Sequence, residues 1–486
     1  MRIIDKINED VLKKTAQRCR ERNIIIPTFA QQKNPAARVP DVIKERLKKV
    51  GLWDVDPVNL FRITWKNEPE ERGGLFNDGN WIEFPSTLTG VPARIVGLVG
   101  KYFPTGAHKV GAAFGCLVPR LVSGNFDPTT QKAVWPSTGN FCRGGAFDSA
   151  LLACTAVAIL PEEMSRERFE WLESIGAEVI ATPGCESNVK EIYDKCWEIR
   201  NTRTDCVIFN QFEEFGNAIW HYEITGNIIE ELYDRIKDDS SRLAGYISAT
   251  GSAGTIAAGD YLRRKFPLLR VVASEALQCP TLLLLGFGGH RIEGIGDKHV
   301  PFIHNVRNTD MVCAVDDEHC MSLLRLFNEP AGQAFLERQG VPSALVEQLP
   351  LLGISSISNL ITAIKTARYY EMDGRDVLFT PLTDSMELYG SRVQELREAH
   401  GPYAEANAGG DFARYIEGIG IDYMRELHYY DRKALHNFKY FTWVEQQGRT
   451  VEELRGLWEP DFWDETFNQA DEWDKLIVEF NKLTGL

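Results

Sequence analysis

The chain has 486 residues, 44% of them hydrophobic and 25% charged, an ordinary balance for a globular protein with room for two domains and a sizeable core. Its formal net charge of -15 excludes nucleic acid and anionic membrane surfaces as default partners, because both are held by clustered Lys and Arg. The ten cysteines are scattered, with no CxxC pair and no Cys/His spacing suited to zinc, which predicts reduced thiols, no metal site and a cytoplasmic setting.

The opening stretch, MRIIDKINEDVLKKTAQRCRERNIIIPTF, mixes acids with bases and lacks a long apolar run, so it predicts an amphipathic helix rather than a secretory leader. From about residue 90 onward, short β-branched runs alternate with helical patterns. The runs are KAVWPS, AEVIATP, CVIFNQF, LAGYISAT, RVVASEA, MVCAVDD and DVLFTPL. Such alternation predicts an α/β fold with parallel sheets covered by helices. The longest apolar runs, ALLACTAVAIL and TLLLLGF, fall short of the ~18 to 20 residues that a membrane helix requires. Two regions lie outside the alternation: roughly the first 80 residues, and an aromatic-rich portion from about 396.

Three stretches carry chemistry. In KYFPTGAHKVGAAFG (101–115) a Thr-Gly turn delivers His108 and Lys109 to the start of a small-residue helix. Burial there would lower the lysine pKa, as an imine-forming amine needs; alone, the same lysine could snorkel to solvent. PSTGNFCRGG (136–145) is a small-residue loop that contains one arginine. In YISATGSAGTIAAGDYLRRKF (246–266) the backbone N–H groups of Gly251 to Thr255 converge at a helix start, which suits a phosphate; a tight turn of the fold could look the same. No GK[ST] sequence marks a P-loop.

Taken in order with QFEEFGNAIWHYEITG (211–226), GGHRIEGIGDKHVP (288–301), LLGISS and DVLFTPLTDSMELY, these motifs resemble the tryptophan synthase β-like, fold type II family of pyridoxal phosphate enzymes. Within it they are most similar to the cysteine synthase and cystathionine β-synthase branch. The resemblance covers about residues 90 to 395. It implies two doubly wound parallel-sheet domains with the cofactor between them: a larger cofactor-binding domain (86–109 and 216–395) and a smaller substrate-gating domain (110–215). Residues 1–85 and 396–486 would be extensions, and the assembly a homodimer.

The resemblance also implies roles. Lys109 would form the imine with pyridoxal 5'-phosphate and take the Cα proton, with His108 beside the phosphate. Gly251, Ser252, Ala253, Gly254 and Thr255 would cup the phosphate, and Asn140 would reach the cofactor's 3'-oxygen. Ser137, Thr138, Gly139 and Gln211 would hold the carboxylate of a small amino-acid substrate. Ser385, or failing it Thr383, would set a neutral hydroxyl against the pyridine nitrogen, a weak electron sink that favours β-elimination or β-replacement through an aminoacrylate on a serine- or cysteine-like amino acid. Adjacent Asp384 in that place would reverse the argument. A serine/threonine dehydratase-like deaminase is the alternative, and a non-catalytic family member a more distant one.

The sequence departs from the family pattern in the loop after Asn140. The family reads SGNTGIG where this chain has Phe141 and Arg143. Arg143 could replace a lost carboxylate donor, grip a second acid on the substrate, or turn outward to a surface acid. His290, Arg291, Lys298 and His299 gather near the expected mouth, either to recognise an anion or as a solvated loop.

Overall fold

The computed structural model describes residues 2–137, 139–162, 166–184, 189–296 and 298–486. Its strands are β1 (Trp81–Phe84), β2 (Arg94–Val99), β3 (Lys132–Pro136), β4 (Thr155–Pro161), β5 (Glu178–Thr182), β6 (Cys206–Ile208), β7 (Arg242–Ala249), β8 (Arg270–Ala276), β9 (Met311–Val315), β10 (Asp376–Leu382) and β11 (Met424–Glu426). They form a seven-stranded sheet in the order β1-β2-β10-β7-β8-β9-β11 and a four-stranded sheet in the order β5-β4-β3-β6. The smaller sheet is entirely parallel. In the larger one β2, β10, β7, β8 and β9 are parallel, and antiparallel β1 and β11 close its two edges. The expected α/β architecture with two parallel sheets is present.

All seven predicted runs form strands, and four further strands appear. β4 begins inside ALLACTAVAIL, where the helix Asn140–Leu151 ends, Ala153 turns at φ 54°, and the chain then extends. β11 belongs to the C-terminal extension and pairs with β9, so that extension is built into the larger sheet at its edge.

The first and last helices pack together on the core. The helix Glu9–Glu21 lies against the helix Ala470–Thr484, and Arg20 donates to the carbonyls of Leu483 and Thr484. The Asp474 carboxylate accepts the N–H groups of Phe29 and Ala30. The Phe29 ring lies 6.0 Å from Phe114 in the core and 5.7 Å from Trp473.

The helix Lys109–Val122 is the element on which the rest is hung. A Cβ on Gly115 would lie 2.4 Å from the Gly216 carbonyl oxygen, and one on Gly216 would lie 2.2 Å from that of Gly115. Only two facing glycines let this helix and the helix Phe215–Trp220 meet backbone to backbone. That contact fixes Lys109 relative to the segment that follows Gln211.

Candidate active site

Lys109 begins its helix and lines a cavity with Ser137, Asn140, Gln211, Ser252 and Thr383, between the two sheets' connecting loops. Its Nζ donates to Ser252 Oγ at 3.2 Å. Burial lowers the ammonium from its usual range to about 8, so roughly a tenth of the amine is in the nucleophilic, unprotonated form near neutral pH, far more than for a solvated lysine.

Gly251 and Ser252 line the cavity, and Ala253, Gly254 and Thr255 continue the turn into the helix Ala257–Lys265. Ala253 sits at φ 61°. A Cβ on Gly254 would fall 1.9 Å from Asn217 Oδ1, so the turn exists in this shape only with glycine there. Among the described residues, no backbone N–H from Gly251 to Thr255 donates to a protein acceptor. This row of free donors ahead of a helix start, within reach of a lysine, fits a phosphate. The residues present therefore suit the phosphate and the aldehyde of pyridoxal phosphate.

Asn217 and His221 support the loop from behind. Asn217 Nδ2 donates to Ser252 Oγ at 3.1 Å and to the Gln211 carbonyl at 3.0 Å. His221 Nε2 stands 3.5 Å from Thr255 Oγ1. Residues four apart on a helix share a face, so the N...H spacing within QFEEFGNAIWHYEITG was the signal for this pair.

On the opposite wall, Gln211 Nε2 donates to Ser137 Oγ at 3.2 Å, and the Gly139 N–H donates to the same hydroxyl at 3.3 Å. Ser137, Gly139, Asn140 and Gln211 all line the cavity. Thr138 lies outside the described residues. Asn140 Nδ2 donates to Asp384 Oδ2 at 2.6 Å, and the Tyr389 hydroxyl donates to the same oxygen at 2.7 Å. Burial pushes the Asp384 carboxyl up to about 6, against the opposing effect of those two hydrogen bonds.

Three expected residues stand elsewhere. Ser385 is buried at the start of the turn Met386–Leu388 and is not among the lining residues; Thr383 is, because β10 ends at Leu382 and the next side chain meets the cavity. His108 lies behind the wall rather than in it: its Nε2 is 3.2 Å from Thr383 Oγ1, and its ring packs on Trp65 and His221. Arg143 does not line the cavity either. One turn beyond Asn140, its guanidinium is held over the rings of Trp53 at 5.2 Å and Trp171 at 5.4 Å. Phe141 takes the cavity-facing place instead.

Near the mouth, His290 and Lys298 line the cavity, whereas Arg291 pairs with Asp317 and Glu318. The C-terminal extension clamps the segment that follows. Trp443 Nε1 donates to the Val300 carbonyl at 2.8 Å, and buried Lys439 donates to those of Phe302 and His304 at 3.0 and 2.7 Å. Among the described residues no cluster of His, Cys, Asp and Glu is placed to hold a metal ion, and no helix is long and apolar enough to cross a membrane.

Residues 101–335 match the family described as pyridoxal-phosphate dependent enzyme. Cysteine synthase B of Campylobacter jejuni is 28% identical over 287 residues, which cover 59% of this chain and 86% of that protein. Cystathionine beta-synthase of Saccharomyces cerevisiae is 24% identical over 317 residues, covering 63% of this chain and 59% of that protein. In three dimensions, O-acetyl serine sulfhydrylase isoform 3 of Entamoeba histolytica superposes with a TM-score of 0.56 at 21% identity, over 68% of this chain and 92% of that one. This last likeness is one of fold.

Proposed function

We propose that this chain, whose residues 101–335 match the pyridoxal-phosphate dependent enzyme family, catalyses β-elimination or β-replacement on a serine- or cysteine-like amino acid. The observation that carries the reading is Lys109: a half-buried, desolvated amine lowered to about 8, set 3.2 Å from Ser252 at the head of a loop whose N–H groups have no partner among the described residues. When bound, pyridoxal phosphate supplies the electron sink that lets the substrate's Cα–H bond ionise.

The chain's own residues supply the rest. The Gly251–Thr255 turn would hold the phosphate, and Asn217 keeps Ser252 turned toward Lys109. Ser137, Gly139 and Gln211 would offer donors to the substrate carboxylate, and Asn140 would donate to the cofactor's 3'-oxygen. Lys109 Nζ receives the Cα proton as a general base and can return it to the departing β-group. The segment 110–215 acts as the substrate-gating unit and 86–109 with 216–395 as the cofactor-binding unit. Resemblance to the family supports a homodimer, and the scattered cysteines support a cytoplasmic setting.

The test is spectroscopic. The loaded protein is mixed in turn with O-acetylserine, serine, cysteine and threonine, with and without sulfide, and its visible absorbance is followed. A serine-like substrate shifts the cofactor band and sulfide reverses the shift. If threonine alone shifts it, the deaminase reading takes its place; if the chain takes up no cofactor, both fail.

A further inference from the structure

We propose that Lys298 is a specificity-determining residue that reads a second anionic group, a carboxylate or phosphate carried beyond the β-carbon by the departing group or by the incoming nucleophile. The inference rests on the reading above for the reaction, and on the charges that line the cavity for the sign of the ligand.

Among the described residues that line the cavity, only Lys109, His290 and Lys298 can carry positive charge, and none is an acid. Lys109 is the amine of the reaction. His290 has a buried Nδ1 without a partner, and burial holds its pKa below the usual range against the pull of Asp317, so it is neutral near pH 7. That leaves Lys298, half-buried and with no counter-ion among the described residues. The carboxylates on neighbouring segments are committed elsewhere: Glu293 to Arg392, Asp317 and Glu318 to Arg291, and Glu213 to Arg200 and Arg449. A lysine that snorkels from a solvated loop needs no ligand. An uncompensated ammonium lining a cavity without acids, in a chain of formal net charge -15, makes that cavity the place where an anion is drawn.

The backbone on either side of Lys298 is held. The Gly296 N–H donates to the Thr250 carbonyl at 3.1 Å, which ties the segment to the start of the Gly251–Thr255 turn. The His299 ring lies 5.6 Å from that of Tyr193, and the Val300 carbonyl accepts from Trp443 at 2.8 Å. Tyr193 and Ile192 line the cavity from the helix Val189–Thr202. Lys298 is thus presented on the stretch that bridges the turn and that helix. In the reading above, the two other anions have their own donors, the cofactor phosphate in the Gly251–Thr255 turn and the substrate carboxylate at Ser137, Gly139 and Gln211. An ammonium at Lys298, with three N–H donors, serves a third.

The experiment has two arms. In the first, the loaded chain is given anionic and neutral partners in pairs: O-phosphoserine against O-acetylserine as the amino acid, and thioglycolate against 2-mercaptoethanol as the nucleophile. In the native chain the anionic member of one pair should have the lower KM. Lys298→Met should raise that KM about tenfold or more, as loss of a charge-assisted hydrogen bond does, and leave kcat and the neutral partners within about twofold. Lys298→Arg should restore most of the difference. The pair that responds tells whether the anion rides on the leaving group or on the nucleophile. No effect, equal effects on both members of both pairs, or a matching loss of cofactor affinity, which would make Lys298 a ligand of the cofactor phosphate, overturns the proposal. The second arm needs no turnover. In the cofactor-free chain, ligand-observed NMR titration should show thioglycolate bound more tightly than 2-mercaptoethanol, with the difference lost in Lys298→Met; a difference that survives in the variant, or none in the native chain, overturns the proposal as well. If the chain takes no cofactor, the proposed function fails while this arm still decides whether Lys298 reads an anion.

Discussion

Asn140 and Asp384, 244 positions apart, are joined by a 2.6 Å hydrogen bond from the amide to a buried carboxylate. The bond ties the start of the helix Asn140–Leu151, next to the smaller sheet, to the strand end of β10 in the larger one. Any motion of the smaller unit during turnover must break this bond or carry Asp384 with it.

Asp384 makes stability depend on pH. Burial raises its folded-state pKa from 3.8 to about 6, so between those values the folded chain binds the proton more tightly than the unfolded chain does. The stabilisation is complete below the unfolded value and is lost as pH rises through about 6; two units correspond to at most about 3 kcal/mol. Asp384→Asn keeps an acceptor for Asn140 and Tyr389 and removes the titration. Urea midpoints measured at pH 4.5 and pH 7 should fall more steeply with rising pH in the native chain than in the variant; parallel slopes would refute the assignment.

Arg143 is a clamp between Trp53 of the N-terminal extension and Trp171 of the helix Arg166–Ser174. The two tryptophans themselves meet edge to face at 5.9 Å. Cation–π contacts of this kind contribute roughly 0.5 to 2 kcal/mol each, and a planar guanidinium is what stacks. Arg143→Ala should lower stability by about 1 to 3 kcal/mol, with little recovery in Arg143→Lys. It should raise KM by similar factors for acidic and neutral substrates, since the side chain stands off the cavity. A rise confined to acidic substrates would restore the role in substrate binding that the sequence suggested.

The legible and illegible parts of the chain divide on physical lines. Seven strands were readable because buried parallel strands are short β-branched runs flanked by turn residues. β4 was hidden because a continuous apolar run has no period that separates strand from helix, and the break at Ala153 depends on a left-handed alanine that no turn signal announces. Lys109 and the Gly251–Thr255 turn were readable because their chemistry is local. Thr383 and Ser385 were not separable, since residues two apart on an extended chain face the same way; only the end of β10 at Leu382 chooses between them. The contact of Arg143 with Trp53 joins residues far apart in sequence, and no local pattern encodes it.

Gly254 carries a prediction about cofactor binding. A methyl group there would stand 1.9 Å from Asn217 Oδ1, an overlap that must displace either the loop or Asn217. Overpacking of this order costs about 1 to 3 kcal/mol, so Gly254→Ala should weaken pyridoxal phosphate binding roughly tenfold or more while the chain stays folded. Pairing it with Asn217→Gly opens the space and should return part of the affinity. Equal affinity in the single variant and the native chain, read by fluorescence titration, would mean that the turn does not hold the phosphate.

The lowered pKa of Lys109 can be read without turnover. Desolvation penalises the charged form of an amine, and here nothing within hydrogen-bond reach offers a carboxylate to offset it: the partner of Nζ is the neutral Ser252 hydroxyl. An amine at about 8 is mostly unprotonated above that pH, whereas solvated lysines keep gaining reactivity to about 10.4. If the cofactor-free chain is treated with an aldehyde and a hydride reductant across this range, trapping at Lys109 should rise and level off near pH 8 to 9 while surface lysines continue upward. Ser252→Ala tests the cause. Loss of a neutral hydroxyl should leave the plateau within about half a unit, because burial and not the hydrogen bond sets the value. Peptide mapping by mass spectrometry gives both curves from one series, and a Lys109 profile that tracks the surface lysines would remove the ground for its role as base and imine former.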